Sequence, residues 1–172
     1  ARRLLGLARR VNAENRSSDS VRRRATYTEH LLRTPVKPRS VLFETTLDDA
    51  VRCSPRRIFL AMLDDPHFAD FEFAWAIRRA DMIEQLKQAY AHLPNVHIIE
   101  RDSADHMQWL ATAGFLVTNA TLPPCFQRRE GQVVLDTWHG VPIKAIGFDV
   151  PFGRIETRNV LRFFCHADFL LS

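Results

Sequence analysis

The residues best suited to chemistry stand together at Thr137-Trp138-His139-Gly140-Val141-Pro142-Ile143-Lys144. An imidazole with a reference pKa of about 6.5 can take or give a proton near neutral pH. An indole can wall a pocket, a glycine lets backbone approach a ligand closely, and a lysine can meet a phosphate. Before them comes Val133-Val134-Leu135, a short buried-strand signal. After them comes an apolar-periodic run that Pro142 can open as a helix, since proline suits the first helical turn. A polar cluster between a strand end and a helix start is where open α/β sheets bind ligands. Backbone N–H groups at such a helix start attract anions, phosphate above all. His139 thus stands where a proton-transfer group and a phosphate can meet. Position alone leaves a second role equally open, a histidine that holds the turn through backbone hydrogen bonds. Trp138 can equally be core, Gly140 a tight turn, and Lys144 an ordinary exposed lysine. Asn119, after an apolar strand signal, can line the same edge or simply form a turn.

The elements that must position these residues follow from period and punctuation. Strand signals occur at 40–45, 71–77, 96–99, 115–118, 132–135 and 168–171. Helical signals lie between them: residues 54–63, with Ser54 as cap and Pro55 at the first position, then 81–93, 103–113 and 156–164. Strands alternating with helices predict a Rossmann-like, mainly parallel α/β sheet covered on both faces. Ahead of it, residues 1–11 read as a short amphipathic helix, 12–20 as a polar loop and 21–33 as a second basic helix. Thr34-Pro35-Val36-Lys37-Pro38 ends that helix. The expected organisation is a basic helical arm and linker over residues 1–38 and a Rossmann-like domain over 39–172. An apolar strand signal directly before Ser172 suggests a fragment, or the first half of a longer protein.

Composition narrows the function. The 172 residues carry a net charge of +4, unevenly placed. Residues 1–40 hold eleven Lys and Arg against three Asp and Glu, so the arm is strongly basic and the rest mildly acidic. Such an arm suits an anionic partner: lipid headgroups, nucleic acid or a polyphosphate chain. Cys53, Cys125 and Cys165 are scattered, and no paired-cysteine or His-Glu-x-x-His spacing supports a metal. No glycine-rich ATP or dinucleotide loop and no Gly-x-Ser-x-Gly elbow occurs. No apolar run approaches the ~20 residues of a membrane span.

The stretch Thr137–Lys144, continued by Gly147-Phe148-Asp149, resembles the signature of the CDP-glycerol glycerophosphotransferase family, the teichoic acid polymerases and primases. Val141 stands where that signature has a small polar residue. The resemblance reaches back to Val41-Leu42-Phe43-Glu44 and forward to Asp168-Phe169-Leu170-Leu171-Ser172. It implies the first of two Rossmann-like halves in a GT-B arrangement, with the donor held mainly by the second. His139 would be the base, with Trp138, Gly140, Lys144 and Asn119 binding substrate. The resemblance implies transfer of glycerol phosphate, or another polyol phosphate, from a CDP-activated donor to a lipid-linked acceptor, releasing CMP. It implies no cofactor and leaves any divalent-metal requirement open. A cytoplasmic enzyme peripheral on the inner face of the membrane is expected. Leu47-Asp48-Asp49-Ala50 replaces the family's glycines and small polar residues, which argues against phosphate binding by that loop. Arg162 and Asp168, in the family's second conserved segment, are expected to form a structural salt bridge. The alternative is a non-catalytic module that binds anionic membrane or nucleic acid through the arm.

Overall fold

The computed structural model describes residues 2–45, 51–138 and 155–171, with side chains in α1 from Ser18 onward and in α5 from Asn159 onward. Helix α1 (Arg2–Arg33) leads into β1 (Lys37–Glu44). Then come α2 (Cys53–Asp64), a 3₁₀ turn (Pro66–Phe68), β2 (Glu72–Ile77), α3 (Ala80–Ala89), β3 (Val96–Glu100), α4 (Ala104–Thr112), β4 (Ala113–Thr118) and β5 (Val133–Asp136). Helix α5 (Ile155–Phe164) and β6 (Phe169–Leu170) follow. The strands form one sheet in the order β3-β2-β1-β4-β5-β6, and every pairing is parallel. The expected Rossmann-like α/β sheet is therefore present, with its reversal of strand order between β1 and β4.

Period-two alternation sends each strand's residues to two apolar layers. On one face Leu42, Ala74, Ala76, Ile99, Leu116 and Val134 pack with Met107 and Leu110 of α4, Phe163 of α5 and Tyr27 of α1. On the other, Val41, Phe43, Phe73, Trp75, Ile98 and Val117 pack with Phe59 of α2 and Ile83 of α3. Phe43 stacks on Trp75 at 5.0 Å, and Phe59 meets both rings edge-on. Gly114 is required where β4 crosses the start of β1. A Cβ there would stand 2.7 Å from the Lys37 carbonyl oxygen and 2.9 Å from that of Pro38. The β1–β4 register shifts at this point, between Lys37 and Val41.

Three local expectations are corrected. Residues 12–20 are helix, not loop, and α1 runs unbroken to Arg33. No proline or glycine interrupts residues 7–33, and once nucleated a helix gains a hydrogen bond with each added residue. Ser54 does not cap α2: the helix begins two residues earlier, at Cys53, Arg52 holds the cap position, and no side-chain cap bond forms. Arg162 and Asp168 do not pair with each other. Asp168 accepts from Arg128 at 2.6 Å and from the Val134 N–H at 2.8 Å, whereas Arg162 donates to the carbonyls of Pro123 and Phe126. Ser103, by contrast, caps α4 as its sequence suggests, accepting from the His106 N–H at 3.1 Å.

Candidate active-site edge

Parallel pairing places every strand's C-terminal end on one edge, and the switch between β1 and β4 opens a crevice there. In the sheet register Glu44 lies beside Thr118, and Thr118 beside Asp136. Neighbours in a parallel ladder point to the same face, so two carboxylates and a hydroxyl form one row. All three are buried, at 1% exposure each. Each follows a run of apolar strand residues, a position where an unpaired carboxylate would be costly.

Glu44 is satisfied by two donors of different kinds, an imidazole and a guanidinium. Its Oε1 lies 2.5 Å from His106 Nε2, and its Oε2 accepts from Arg101 Nη2 at 2.9 Å. The Asp102 N–H donates to His106 Nδ1 at 3.0 Å. Nδ1 therefore carries no proton, and the ring donates from Nε2 to Glu44. Burial would push the Glu44 carboxyl up, but His106 and Arg101 outweigh it and hold it below its ordinary value. Arg101 also donates to the Thr45 carbonyl at 3.2 Å, which ties the end of β1 to the β3–α4 turn.

Asp136 organises the turn after β5. Its Oδ1 accepts from the Trp138 N–H at 2.9 Å, an Asx turn. Thr137 donates its N–H to the Thr118 carbonyl at 2.7 Å, continuing the ladder by one residue. Trp138 then takes φ +50°, a left-handed conformation that costs a side-chain-bearing residue about 1–2 kcal/mol. Its ring lies 5.3 Å from that of Phe164 on α5. Cys53 (φ +58°) and Asp102 (φ +69°) are also left-handed, and each follows a strand at this same edge. Backbone strain of this kind collects where function needs a fixed geometry.

Of the sequence-derived candidates, Asn119 and Trp138 are thus brought to one edge. Asn119 is buried immediately after β4, and Trp138 is half-buried two residues after β5. His139, Gly140 and Lys144 lie outside the described residues, as does the helix expected after Pro142. The row of Glu44, Thr118 and Asp136, with His106 bonded to Glu44, was missed by motif reasoning. A charged residue closing a run such as Val41-Leu42-Phe43 or Val133-Val134-Leu135 is the signal that points to it. Among the described residues no group of three or more His, Cys, Asp or Glu is placed to hold a metal ion. No described helix is long and apolar enough to cross a membrane.

Comparison with known proteins bears on the family and the fold. Residues 26–172 match the family model of CDP-glycerol:poly(glycerophosphate) glycerophosphotransferase. The chain is similar to teichoic acid poly(glycerol phosphate) polymerases from Bacillus spizizenii (26% identity, 80% of this chain, 35% of the relative) and Staphylococcus epidermidis (26%, 80% and 19%). It therefore spans about a third or less of the curated relatives it matches. Solved structures of the wall teichoic acid polymerase TagF share the fold. One superposes with a TM-score of 0.68 at 23% identity, covering 94% of this chain and 41% of that one. A histidine-to-asparagine variant soaked with CDPG gives 0.69 at 22%, covering 94% and 42%. With the family model spanning all but the first 25 residues, the chain belongs to the CDP-glycerol:poly(glycerophosphate) glycerophosphotransferase family.

Proposed function

We propose that this chain is the acceptor-side part of a glycerophosphotransferase. It moves glycerol phosphate from CDP-glycerol to the terminal hydroxyl of a lipid-linked, teichoic-acid-type chain and releases CMP. The observation that carries this is the family match over residues 26–172, which includes the Trp138-His139-Gly140 stretch at the end of β5. In the reaction, the acceptor oxygen attacks the phosphorus that bears glycerol, the bond to the CMP oxygen breaks, and the hydroxyl proton must leave. His139, which follows Trp138 directly in the chain, takes that proton as a neutral imidazole. Lys144 meets a phosphate oxygen of the donor, Gly140 lets the backbone approach it, and Asn119 and Trp138 shape the acceptor side. Asp136 is a positioning residue: its bond to the Trp138 N–H fixes the turn that leads into His139. This role is supported by the strained φ of Trp138, which an unconstrained turn would relax. The enzyme works at the inner face of the membrane, where the basic α1 meets anionic lipid. Exposed Val21 and Leu32 on that helix suit such a surface.

The test is CMP release from CDP-glycerol in the presence and absence of a lipid-linked glycerophosphate acceptor. Acceptor-dependent release that ceases when cytidine diphosphate-ribitol replaces the donor supports the reading. No acceptor-dependent release from any CDP-activated polyol contradicts it.

A further inference from the structure

Between α1 and the C-terminal sheet edge runs a cleft of about 650 Å³ that the proposed transfer chemistry does not use. Its floor is the turns after β2, β3 and β4, and one wall is the polar side of α1. Four guanidinium groups, from Arg23, Arg24, Arg78 and Arg101, face a single lining carboxylate, Asp102. Asp102 is shared: Arg23 approaches it at 3.5 Å and Arg78 at 3.4 Å. Arg24 makes no ion pair among the described residues. Arg101 is already engaged by buried Glu44, so the excess positive charge falls on Arg23, Arg24 and Arg78. The arrangement is built rather than incidental. His106, itself fully buried, holds the Asp102 N–H and with it the left-handed turn that brings the carboxylate between two arginines from different elements. A second recess of about 490 Å³ shares Arg23, Arg101 and Asp102, and carries the groove along α1 to Asp19. From Asp19 to Leu31 the α1 wall extends about 18 Å, much longer than one phosphate.

We propose that this cleft binds a phosphodiester segment of the polyol-phosphate acceptor chain, with Arg23, Arg24 and Arg78 meeting successive phosphates. The proposal rests on the acceptor-side reading above. Guanidinium forks match phosphate oxygens in pairs. Hydroxyl and amide side chains of Ser20, Thr28, Gln127 and Asn159 also line the cleft, and they suit the hydroxyls of a polyol. Single-stranded nucleic acid is the poorer fit, because base binding needs exposed aromatic platforms. The one aromatic side chain in the lining, Tyr27, is buried to 1% exposure, and its hydroxyl is engaged by Gln127. A bilayer cannot follow a concave groove of this kind.

The experiment is calorimetric titration of the 172-residue protein with a short glycerol phosphate oligomer. Parallel titrations use a phosphate-free polyglycerol, a single-stranded oligonucleotide of equal charge and phosphatidylglycerol vesicles. The oligomer is expected to bind, polyglycerol not, and log K to fall linearly with log salt by about 0.7 per phosphate engaged. The double variant Arg23→Gln, Arg78→Gln should bind at least about tenfold more weakly, the worth of a charge-assisted hydrogen bond. Thr28→Glu, which adds a negative charge on exposed helix without removing an arginine, should weaken binding too. Thermal melts of the variants should match wild type, since neither arginine is buried. Failure of the oligomer to bind, equal binding by both variants, tighter binding of the oligonucleotide, or displacement of the oligomer by vesicles would each overturn the proposal. Transfer itself is scored separately, as acceptor-dependent CMP release from CDP-glycerol by the active wild-type protein. Intact release by a wild-type protein that does not bind the oligomer would thus fault the groove alone.

Discussion

At the scale of residues, the Glu44–His106–Arg101 cluster carries the sharpest expectations. Glu44→Ala would leave the Arg101 guanidinium and the His106 Nε2–H buried without their acceptor, at a cost of about 3–5 kcal/mol. Glu44→Gln keeps an acceptor for His106 and should cost less. Denaturant unfolding of both variants checks the order. The pH dependence has a definite sign. The Glu44 carboxyl is held below its ordinary value of 4.5 in the folded protein, so its contribution is present above about pH 4.5. It is lost as pH falls through the lower folded value. Melting temperatures of wild type should therefore drop more steeply below pH 4.5 than those of Glu44→Gln; parallel curves would contradict this. Little of this cluster was legible in the sequence. His106 is one of seven histidines, with no partner at ligand spacing, and its partner Glu44 lies far away in the chain. Only β1–α4 packing joins them. Trp138 and Asn119 were legible because strand signals end beside them, and the strand ends set the edge.

At the scale of elements, α1 and β4 are the informative ones. Tyr27 closes α1 onto the core, and its hydroxyl both donates to the Gln127 carbonyl at 3.0 Å and accepts from the Gln127 N–H at 2.9 Å. Burial raises its pKa from 10.0 to about 12. Tyr27→Phe leaves both backbone groups without the hydroxyl, and should cost about 1–3 kcal/mol by denaturant unfolding. Wild type should also lose stability as pH rises from about 10 toward 12, because the unfolded phenol ionises first. The phenylalanine variant should lack that component. Gly114→Ala drives a methyl into the Lys37 and Pro38 carbonyls and should destabilise by about 1–3 kcal/mol. An unchanged melting curve would show that the β1–β4 junction can yield. Strands and helices of the sheet were readable because period two and period 3.6 alternate cleanly after residue 40. The middle of α1 was not, because Asn12 to Ser20 is polar and carries weak helix formers. Helical continuity and docking of the later turns on α4 decide it instead.

At the scale of the whole molecule, the order β3-β2-β1-β4-β5-β6 brings three left-handed residues, the buried Glu44–Thr118–Asp136 row and the arginine cleft to one edge of the sheet. Strand order is the level at which sequence reasoning is weakest, since parallel neighbours are set by crossovers and not by adjacency. The catalytic assignment to His139 belongs here, because it needs the donor, the acceptor and the edge together. Its companion Lys144→Ala should raise an apparent KM and leave the pH profile unchanged in shape. The most direct test is steady-state CMP release by the active protein across pH, comparing wild type with His139→Ala and using thermal melts as the folding control. The account predicts a fall in kcat of about 10²–10⁴ and loss of the acidic limb of the pH–rate profile, with melting unchanged. A His139→Ala protein that keeps near-normal kcat and the same acidic limb would contradict it.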